Sequence, residues 1–283
     1  MKKYFDLIKP GIVFSNIFSV ISGFLFASKN DFNIYILFFD CLGSFLIISS
    51  SCILNNIIDS EIDRKMQRTK ERISALGKIN YKFFVFISIC LYLLSSFIFV
   101  FFVNLISFFL SSFAFFIYVI FYSIFLKKKY FFSTIFGSFS GAIPPIIGYC
   151  SVINKINLCS VIIFFIFVFW QISHFYSISM FRLEDYRNAG IPTFLLRYGI
   201  KKTRKHIIFY ILCFIFCTIL LKIFNYTNYF YLFMISVFNA IWLILSLLSL
   251  KKINYKNYAK YIFLSSIVII FMFNILISIN NFF

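Results

Sequence analysis

Three oxygen-bearing side chains, Asn55, Asp59 and Asp63, stand four residues apart near the end of an apolar segment. In a helix, residues at this spacing share one face, so their oxygens can converge on a single cation. Mg²⁺ prefers such ligands and commonly completes its shell with substrate phosphates. Arg68 and Arg72 follow closely, and guanidinium groups bind phosphate oxygens in a bidentate manner. The pattern predicts a site for a metal ion and a diphosphate.

Simpler interpretations compete with this one. A polar helix end would explain the same spacing in many proteins, but Asn55 lies inside an apolar run, where an amide is costly unless it faces a partner or a cavity. Lys65 is a candidate for substrate binding, although anchoring of the topology is the preferred interpretation of this residue. Glu61 is expected to be a solvated charge, because it points away from the face that holds Asp59 and Asp63.

The elements that position these residues are membrane-spanning helices. Of the 283 residues, 62% are hydrophobic and only 13% are charged, which is far from the composition of a soluble domain. A bilayer core about 30 Å thick needs roughly 20 apolar residues per helix. Nine runs meet this need, at residues 12–27, 34–58, 83–103, 105–126, 131–152, 158–180, 207–221, 229–250 and 261–279. We expect an all-α integral membrane protein, a nine-helix bundle in a single domain over residues 1–283.

The distribution of basic residues predicts the orientation of the bundle. The net charge is +18, yet 24 of the 27 Lys and Arg residues fall in the segments on one side of the alternating spans. The other side keeps only Lys29, Lys155 and Lys222. The positive-inside rule then places the N-terminus in the cytoplasm and the C-terminus outside. Because the charge is explained by topology, binding to nucleic acid is not expected.

A second polar stretch, residues 181–206, lies on the same side as the first, residues 59–82. Together the two stretches hold six of the nine acidic residues, so they are expected to face each other across one cavity. His174 lies about two helical turns before Arg182, inside a span. An intramembrane histidine is a functional candidate, with a purely structural role as the alternative.

Small residues and a proline pair mark the fifth span, at residues 137–149. Small residues allow helices to approach closely, and close packing is the simplest interpretation of these glycines. Pro144 and Pro145 interrupt the helix, and irregular backbone at membrane depth usually lines a cavity. This break therefore predicts a shaped pocket wall.

Four blocks together resemble the intramembrane prenyltransferases of the UbiA superfamily. They are Lys-Pro-Gly-Ile-Val at 9–13, the acidic and basic block at 55–72, Gly-Ser-x-Ser-Gly-Ala-x-Pro-Pro at 137–145, and the block at 170–192. The resemblance implies a nine-helix bundle around a cavity that opens to lipid, and Mg²⁺-dependent transfer of a prenyl group from an isoprenoid diphosphate. Asp59 and Asp63 would hold the metal with Asn55 beside them, and Arg68 and Arg72 would neutralise the departing charge.

The block at 170–192 is similar to the heme-modifying branch of that superfamily. This likeness implies farnesyl diphosphate and protoheme IX (heme B) as substrates, heme O with its hydroxyethylfarnesyl side chain as product, and a bacterial inner membrane. It also implies a heme A synthase or a terminal oxidase as assembly partner. Asp185 would complete a second acidic site, although Ala189 stands where the wider superfamily often repeats an aspartate. Substrate-binding roles are implied for His174, Tyr176, Arg182 and Tyr186.

Three alternatives remain open from the sequence. The first is a related prenyltransferase that acts on an aromatic quinone precursor. The second is a transporter with an ion pathway of buried Asn and Asp, but here the acids gather at one face and not at the bilayer midplane. The third is an assembly factor without catalysis, whose function would survive removal of Asp59 and Asp63.

Overall fold

The computed structural model describes residues 2–29, 32–248 and 254–282, which form helices and connecting turns with no strand among them. Nine helices of this described part are long and apolar enough to cross a membrane. Their bounds are Pro10–Ser28 (α1), Ile34–Ile58 (α2), Tyr81–Val103 (α3), Leu105–Leu126 (α4), Ser133–Ile153 (α5), Leu158–Phe181 (α6), Phe194–Ile223 (α7), Tyr229–Leu248 (α8) and Tyr255–Ile279 (α9). The prediction of an all-α, multi-pass membrane protein is confirmed.

The seventh helix departs most from its predicted span. It begins at Phe194 and not near residue 207, and it bends at Gly199, whose φ of 78° is left-handed. Charged residues in this first part keep it outside any apolar window, which is why hydropathy did not detect it. Residues 249–250 of the eighth predicted span, and Lys251 and Lys252 of the basic count, lie outside the described residues.

Asparagine side chains begin several of the helices. Asn33 caps α2, Asn80 caps α3 and Asn104 caps α4, each accepting a hydrogen bond from a backbone N–H of the first turn. Asn157 forms a reciprocal capping box with Ser160 at the start of α6. The first N–H groups of a helix have no intrahelical acceptor, so these amides satisfy donors that would otherwise be costly near lipid.

The fifth span is broken, as the proline pair predicts. Its first half ends at Gly141, and its second half starts at Pro144, which stands at the first helical position where a missing N–H costs nothing. The second half packs along α1 at backbone distance. A Cβ built on Gly148 would lie 1.9 Å from the carbonyl oxygen of Val20, so only glycine fits.

Replacing Gly148 with alanine is expected to destabilise the bundle by about 1–3 kcal/mol, because two helix backbones must move apart. The measurement is the unfolding temperature in detergent. Gly11→Ala is the matched control in α1, since a Cβ there meets nothing within 4 Å. Equal unfolding temperatures for the two variants would contradict the close contact.

The fourth span changes its helical type halfway. Leu105–Phe116 is α-helical, whereas Ile117–Leu126 is a π-helix. The wider repeat continues into the next turn, where the N–H of Lys127 donates to the carbonyl of Tyr122 at 2.8 Å. Stretches of π-helix commonly occur at functional sites. Here the π-helix supplies one wall of the central cavity.

Candidate active site

The end of α2 carries the three side chains that the sequence singled out. The N–H of Asp59 donates to the carbonyl of Asn55 at 2.9 Å, and the N–H of Asp63 donates to that of Asp59 at 2.8 Å. The four-residue repeat therefore continues from α2 into the short helix Ser60–Lys65. All three side chains are buried, with exposed fractions of 2%, 2% and 4%. They lie on one face and line the same cavity.

A basic side chain pairs with each of the two carboxylates. Arg72 Nη1 lies 2.7 Å from Asp63 Oδ2, and Lys127 Nζ forms an ion pair with Asp59 Oδ2. A buried carboxylate without a counter-charge is strongly destabilising, and each of these basic partners compensates one of the two carboxylates. The sequence predicted Arg72 beside the acids but assigned Lys127 to topology alone.

Two further contacts hold Asn55. Lys9 Nζ donates a hydrogen bond to the side-chain oxygen of Asn55. The side-chain NH₂ group of Asn55 donates to Ser123 Oγ of the π-helix at 2.9 Å. Lys9 and Ser123 were missed as site residues. One signal was available for Lys9: a buried acidic cluster needs neutralising charge, and Lys9 is adjacent to the first residue of α1 on the predicted side of the cluster.

The net pKa shift differs between the two lysines, although burial disfavours the charge of both. Burial lowers the pKa of Lys9 to about 8, and Arg72 adds to this effect while Asp59 opposes it. Burial also disfavours the charge of Lys127, but the attraction of Asp59, aided by Tyr122, outweighs it and raises the pKa of Lys127 above its ordinary value. Lys127 is therefore a cation at neutral pH.

A cavity of about 490 Å³ joins this charged cluster to the interior of the bundle. Its wall along α2 extends from Ile47 to Asp59, which is about 18 Å at the rise of a helix. The charged side chains at its end are Lys9, Asp59, Asp63, Arg68, Arg72 and Lys127. Tyr186 also lines it, and burial raises the pKa of this phenol.

Another part of the cavity wall is aromatic. Trp170, His174 and Phe175 of α6 line it together with Tyr118 of α4. Small residues of α5 reach it at the break beside Pro144, which confirms the predicted pocket wall. Charged and aromatic surfaces thus share one continuous space.

Two predicted substrate-binding residues do not line this cavity. Tyr176 is 3% exposed and stacks on Phe194 at 5.2 Å, in the interface between α6 and α7. Arg182 lies exposed at the end of α6, over the ring of Phe181. Residues two apart on a helix point in nearly opposite directions, so Tyr176 could not share the face of His174.

Two further predicted residues, both charged, also lie outside the lining of this cavity. Lys65 is exposed and borders a separate depression of about 160 Å³. Asp185 is buried, but its Oδ1 accepts a hydrogen bond from the backbone N–H of Gln67 at 3.0 Å, and it does not line the cavity. Asp185 therefore ties the two polar stretches together, and its place in a second acidic site stays a prediction. Glu184 is exposed and pairs with Arg187 at 3.2 Å.

Comparison with known proteins defines the family. The sequence model of the UbiA prenyltransferase family matches residues 16–267. The chain belongs to this family. Relatives named protoheme IX farnesyltransferase include that of Blochmanniella floridana, 44% identical over 99% of this chain and 97% of the relative. That of Wigglesworthia glossinidia brevipalpis is 43% identical over 98% of this chain and 97% of the relative.

Solved structures of UbiA-type proteins share the fold. A digeranylgeranylglyceryl phosphate synthase aligns with a TM-score of 0.80 at 19% identity, covering 99% of this chain and 98% of its own. A UbiA homolog from Archaeoglobus fulgidus, bound to DMAPP and Mg²⁺, aligns with a TM-score of 0.66 at 15% identity, covering 96% and 87%. The family resemblance predicted from the sequence is confirmed. Family membership favours group transfer over transport.

The donor set of this UbiA protein limits how a metal could bind. Within residues 2–29, 32–248 and 254–282, no three His, Cys, Asp or Glu side chains come together as a metal site. A cation at Asp59 and Asp63 would rely on further oxygen donors. Mg²⁺ is commonly held in this way, by one or two carboxylates and the phosphates of a substrate.

Arg182→Ala is expected to leave kcat/KM for prenyl transfer within about twofold of wild type, because an exposed side chain outside the cavity contributes little. The sequence predicted a substrate-binding role, so this variant separates the two interpretations. Steady-state kinetics with purified protein is the measurement. A tenfold rise in KM for the prenyl diphosphate would support the predicted substrate-binding role of Arg182.

Proposed function

We propose that this UbiA protein transfers the farnesyl group of farnesyl diphosphate to a vinyl group of protoheme IX and so forms heme O. The carrying observation is that the charged cluster at Asp59 and the aromatic surface at His174 line one cavity. The charged cluster suits a diphosphate. The aromatic surface would bind a flat, apolar acceptor beside the prenyl chain. Relatives named protoheme IX farnesyltransferase, similar over nearly their whole length, support this choice of substrates.

The cluster at the end of α2 fits a magnesium ion. Asp59 Oδ1 is buried and has no hydrogen-bond partner within the described part of the chain, which leaves one carboxylate oxygen available. Asp59 and Asp63 would hold the ion, with Asn55 as a third oxygen donor. When bound, Mg²⁺ supplies positive charge that stabilises the diphosphate as it leaves. The homolog bound to DMAPP and Mg²⁺ supports the use of a metal–diphosphate pair.

The basic side chains would assist the cleavage of the allylic bond. Arg68, Arg72 and Lys127 line the same cavity and would neutralise the phosphate oxygens. Preorganised charges in a site shielded from water lower the barrier most where charge develops. As the bond between C1 and oxygen breaks, its electron pair leaves with the diphosphate and an allylic cation remains.

The cavity then brings the acceptor to this cation. The π electrons of a heme vinyl group form the new carbon–carbon bond to C1, which leaves positive charge on the carbon next to the porphyrin. Water adds to that carbon and loses a proton, completing the hydroxyethylfarnesyl group. Trp170 and His174 would orient the porphyrin, and Tyr186 lies at the charged end, where the prenyl diphosphate would bind.

The cellular setting remains part of the proposal. We infer a bacterial inner membrane, consistent with the bacterial relatives, with the N-terminus in the cytoplasm and the C-terminus outside. A single domain over residues 1–283 stays a prediction, as does docking of a heme A synthase or a terminal oxidase to receive the product.

Incubation of the detergent-purified protein with heme B, farnesyl diphosphate and Mg²⁺ tests this function. Mass analysis should detect a heme that carries the hydroxyethylfarnesyl group, and this product should disappear with a chelator. Folded protein that returns heme B unchanged would overturn the proposal. Prenylation of an aromatic quinone precursor by the same preparation would then identify the alternative acceptor.

A further inference from the structure

A serine of α9 contacts two side chains of the cavity wall. Ser266 Oγ lies 2.7 Å from His174 Nδ1, and the indole N–H of Trp170 donates to the backbone carbonyl of Ser266 at 2.6 Å. Ser266 is itself fully buried. It therefore connects α9 to the two α6 residues that form the aromatic part of the cavity.

The direction of the hydrogen bond to His174 follows from the other contact of this serine. Ser266 Oγ lies 2.6 Å from the carbonyl oxygen of Phe263, which can only accept. The single hydroxyl hydrogen is committed to that carbonyl, so Ser266 must accept from His174 Nδ1–H. In a neutral imidazole with hydrogen on Nδ1, the other nitrogen, Nε2, carries a lone pair.

Ring contacts hold His174 in place, while its Nε2 has no hydrogen-bond partner among the described residues. The ring of His174 stacks on that of Trp170 at 5.1 Å and 26°, and it lies 5.0 Å from that of Phe263 at 33°. Across the described residues no hydrogen bond engages Nε2 of His174, and the side chain lines the cavity. A fixed ring with a free lone pair at a cavity wall has the arrangement of a metal ligand.

We propose that Ser266 is a positioning residue that holds His174 in the tautomer whose Nε2 binds the iron of the heme substrate. This inference rests on the proposed function. Metal-binding histidines usually donate their other ring N–H to a fixed acceptor, and loss of that acceptor weakens metal binding about 10–100-fold. Fixing the iron fixes the porphyrin, and with it the vinyl group that must meet the allylic cation.

Equilibrium binding of two porphyrins to the full-length protein in detergent tests this role. Ser266→Ala is expected to weaken ferric heme binding by about tenfold or more and to change the Soret band of the bound heme. Binding of metal-free protoporphyrin IX should be unchanged, since it offers no iron. Ser266→Thr keeps the hydroxyl and should restore both heme affinity and spectrum. Ser265→Ala is the matched control, because the hydrogen bond of Ser265 Oγ seen in the described part of the chain stays within its own helix, to Ile262 O at 3.1 Å.

Three outcomes separate the alternatives, with unfolding temperatures used to verify the fold of each variant. If Ser266→Ala weakened the binding of heme and of protoporphyrin equally, the serine would have only a packing role and the inference would be overturned. Unchanged heme affinity and spectrum would overturn it as well. Wild-type protein that makes no farnesylated heme would overturn the proposed function instead, so the two failures are distinguishable.

Discussion

Asp59→Asn is expected to lower kcat for farnesyl transfer by about 10³-fold, a loss of about 4 kcal/mol of transition-state stabilisation. The substitution keeps the shape of the side chain and an oxygen that can accept from Lys127, but it removes the charge that would hold Mg²⁺. The Oδ1 atom of Asp59 is buried and has no hydrogen-bond partner among the described residues. We expect this oxygen to bind Mg²⁺, and the substitution removes its negative charge. Product formation, measured over a range of Mg²⁺ concentrations, is the assay.

Glu61→Gln is the matched control for Asp59→Asn. Glu61 is an acid only two residues away, but it is exposed and does not line the large cavity. Its activity should stay within about twofold of wild type. Comparable losses in both variants, or a normal rate in Asp59→Asn, would exclude a metal site at Asp59. An unchanged unfolding temperature for Asp59→Asn would show that a lost rate is not lost structure.

Lys127→Met is expected to lower kcat/KM for farnesyl diphosphate by about 10²-fold, because a preorganised cation at the leaving group is lost. Two matched controls stand beside it in the chain, Lys128→Met and Lys129→Met. Both of these lysines are exposed and neither lines the cavity. Steady-state kinetics of the three variants measures the difference.

A uniform loss across the three lysines would indicate a general effect of surface charge and would contradict a specific role for Lys127. The structural basis for the contrast is the ion pair with Asp59, which is seen for Lys127. Binding of inorganic diphosphate by calorimetry gives a second measurement, in which only Lys127→Met should weaken affinity.

Local spacing made the acidic part of this site predictable. Asn55, Asp59 and Asp63 repeat at four residues, and about two turns of helix bring all three onto one face. The fold was equally predictable, because nine apolar runs of sufficient length leave few alternative folds in a bilayer. His174 was predictable for a similar reason, since a polar ring inside a membrane span needs a partner or a cavity.

Lys127 was not predictable, because its position depends on a local change of helix type. Nine residues separate it from Tyr118, which also lines the cavity. Nine residues are about two and a half turns of an α-helix, which would place Lys127 on the opposite face. In a π-helix, with its i→i+5 hydrogen bonds, they are about two turns, so both residues share one face.

Other site contacts depend on residues far apart in the chain. Ser266 and His174 are separated by 92 positions, and Asp185 and Gln67 by 118. Hydropathy places α9 in the membrane, but it does not specify which serine meets the histidine. Family resemblance assigned Asp185 to a second acidic site, but it could not show that packing directs one oxygen of Asp185 to a backbone N–H.

The pairing of the acids with Arg72 and Lys127 has a thermodynamic consequence. A metal ion arriving alone would have to displace cations that already neutralise the carboxylates, and a diphosphate arriving alone would bring negative charge to oxygens already fixed in place. Arriving together, the metal can take the carboxylates while the released basic groups take the phosphates. The two affinities are then linked reciprocally, each raised by the other. Such coupling would keep the site closed to free Mg²⁺ and select the metal–diphosphate complex as one ligand.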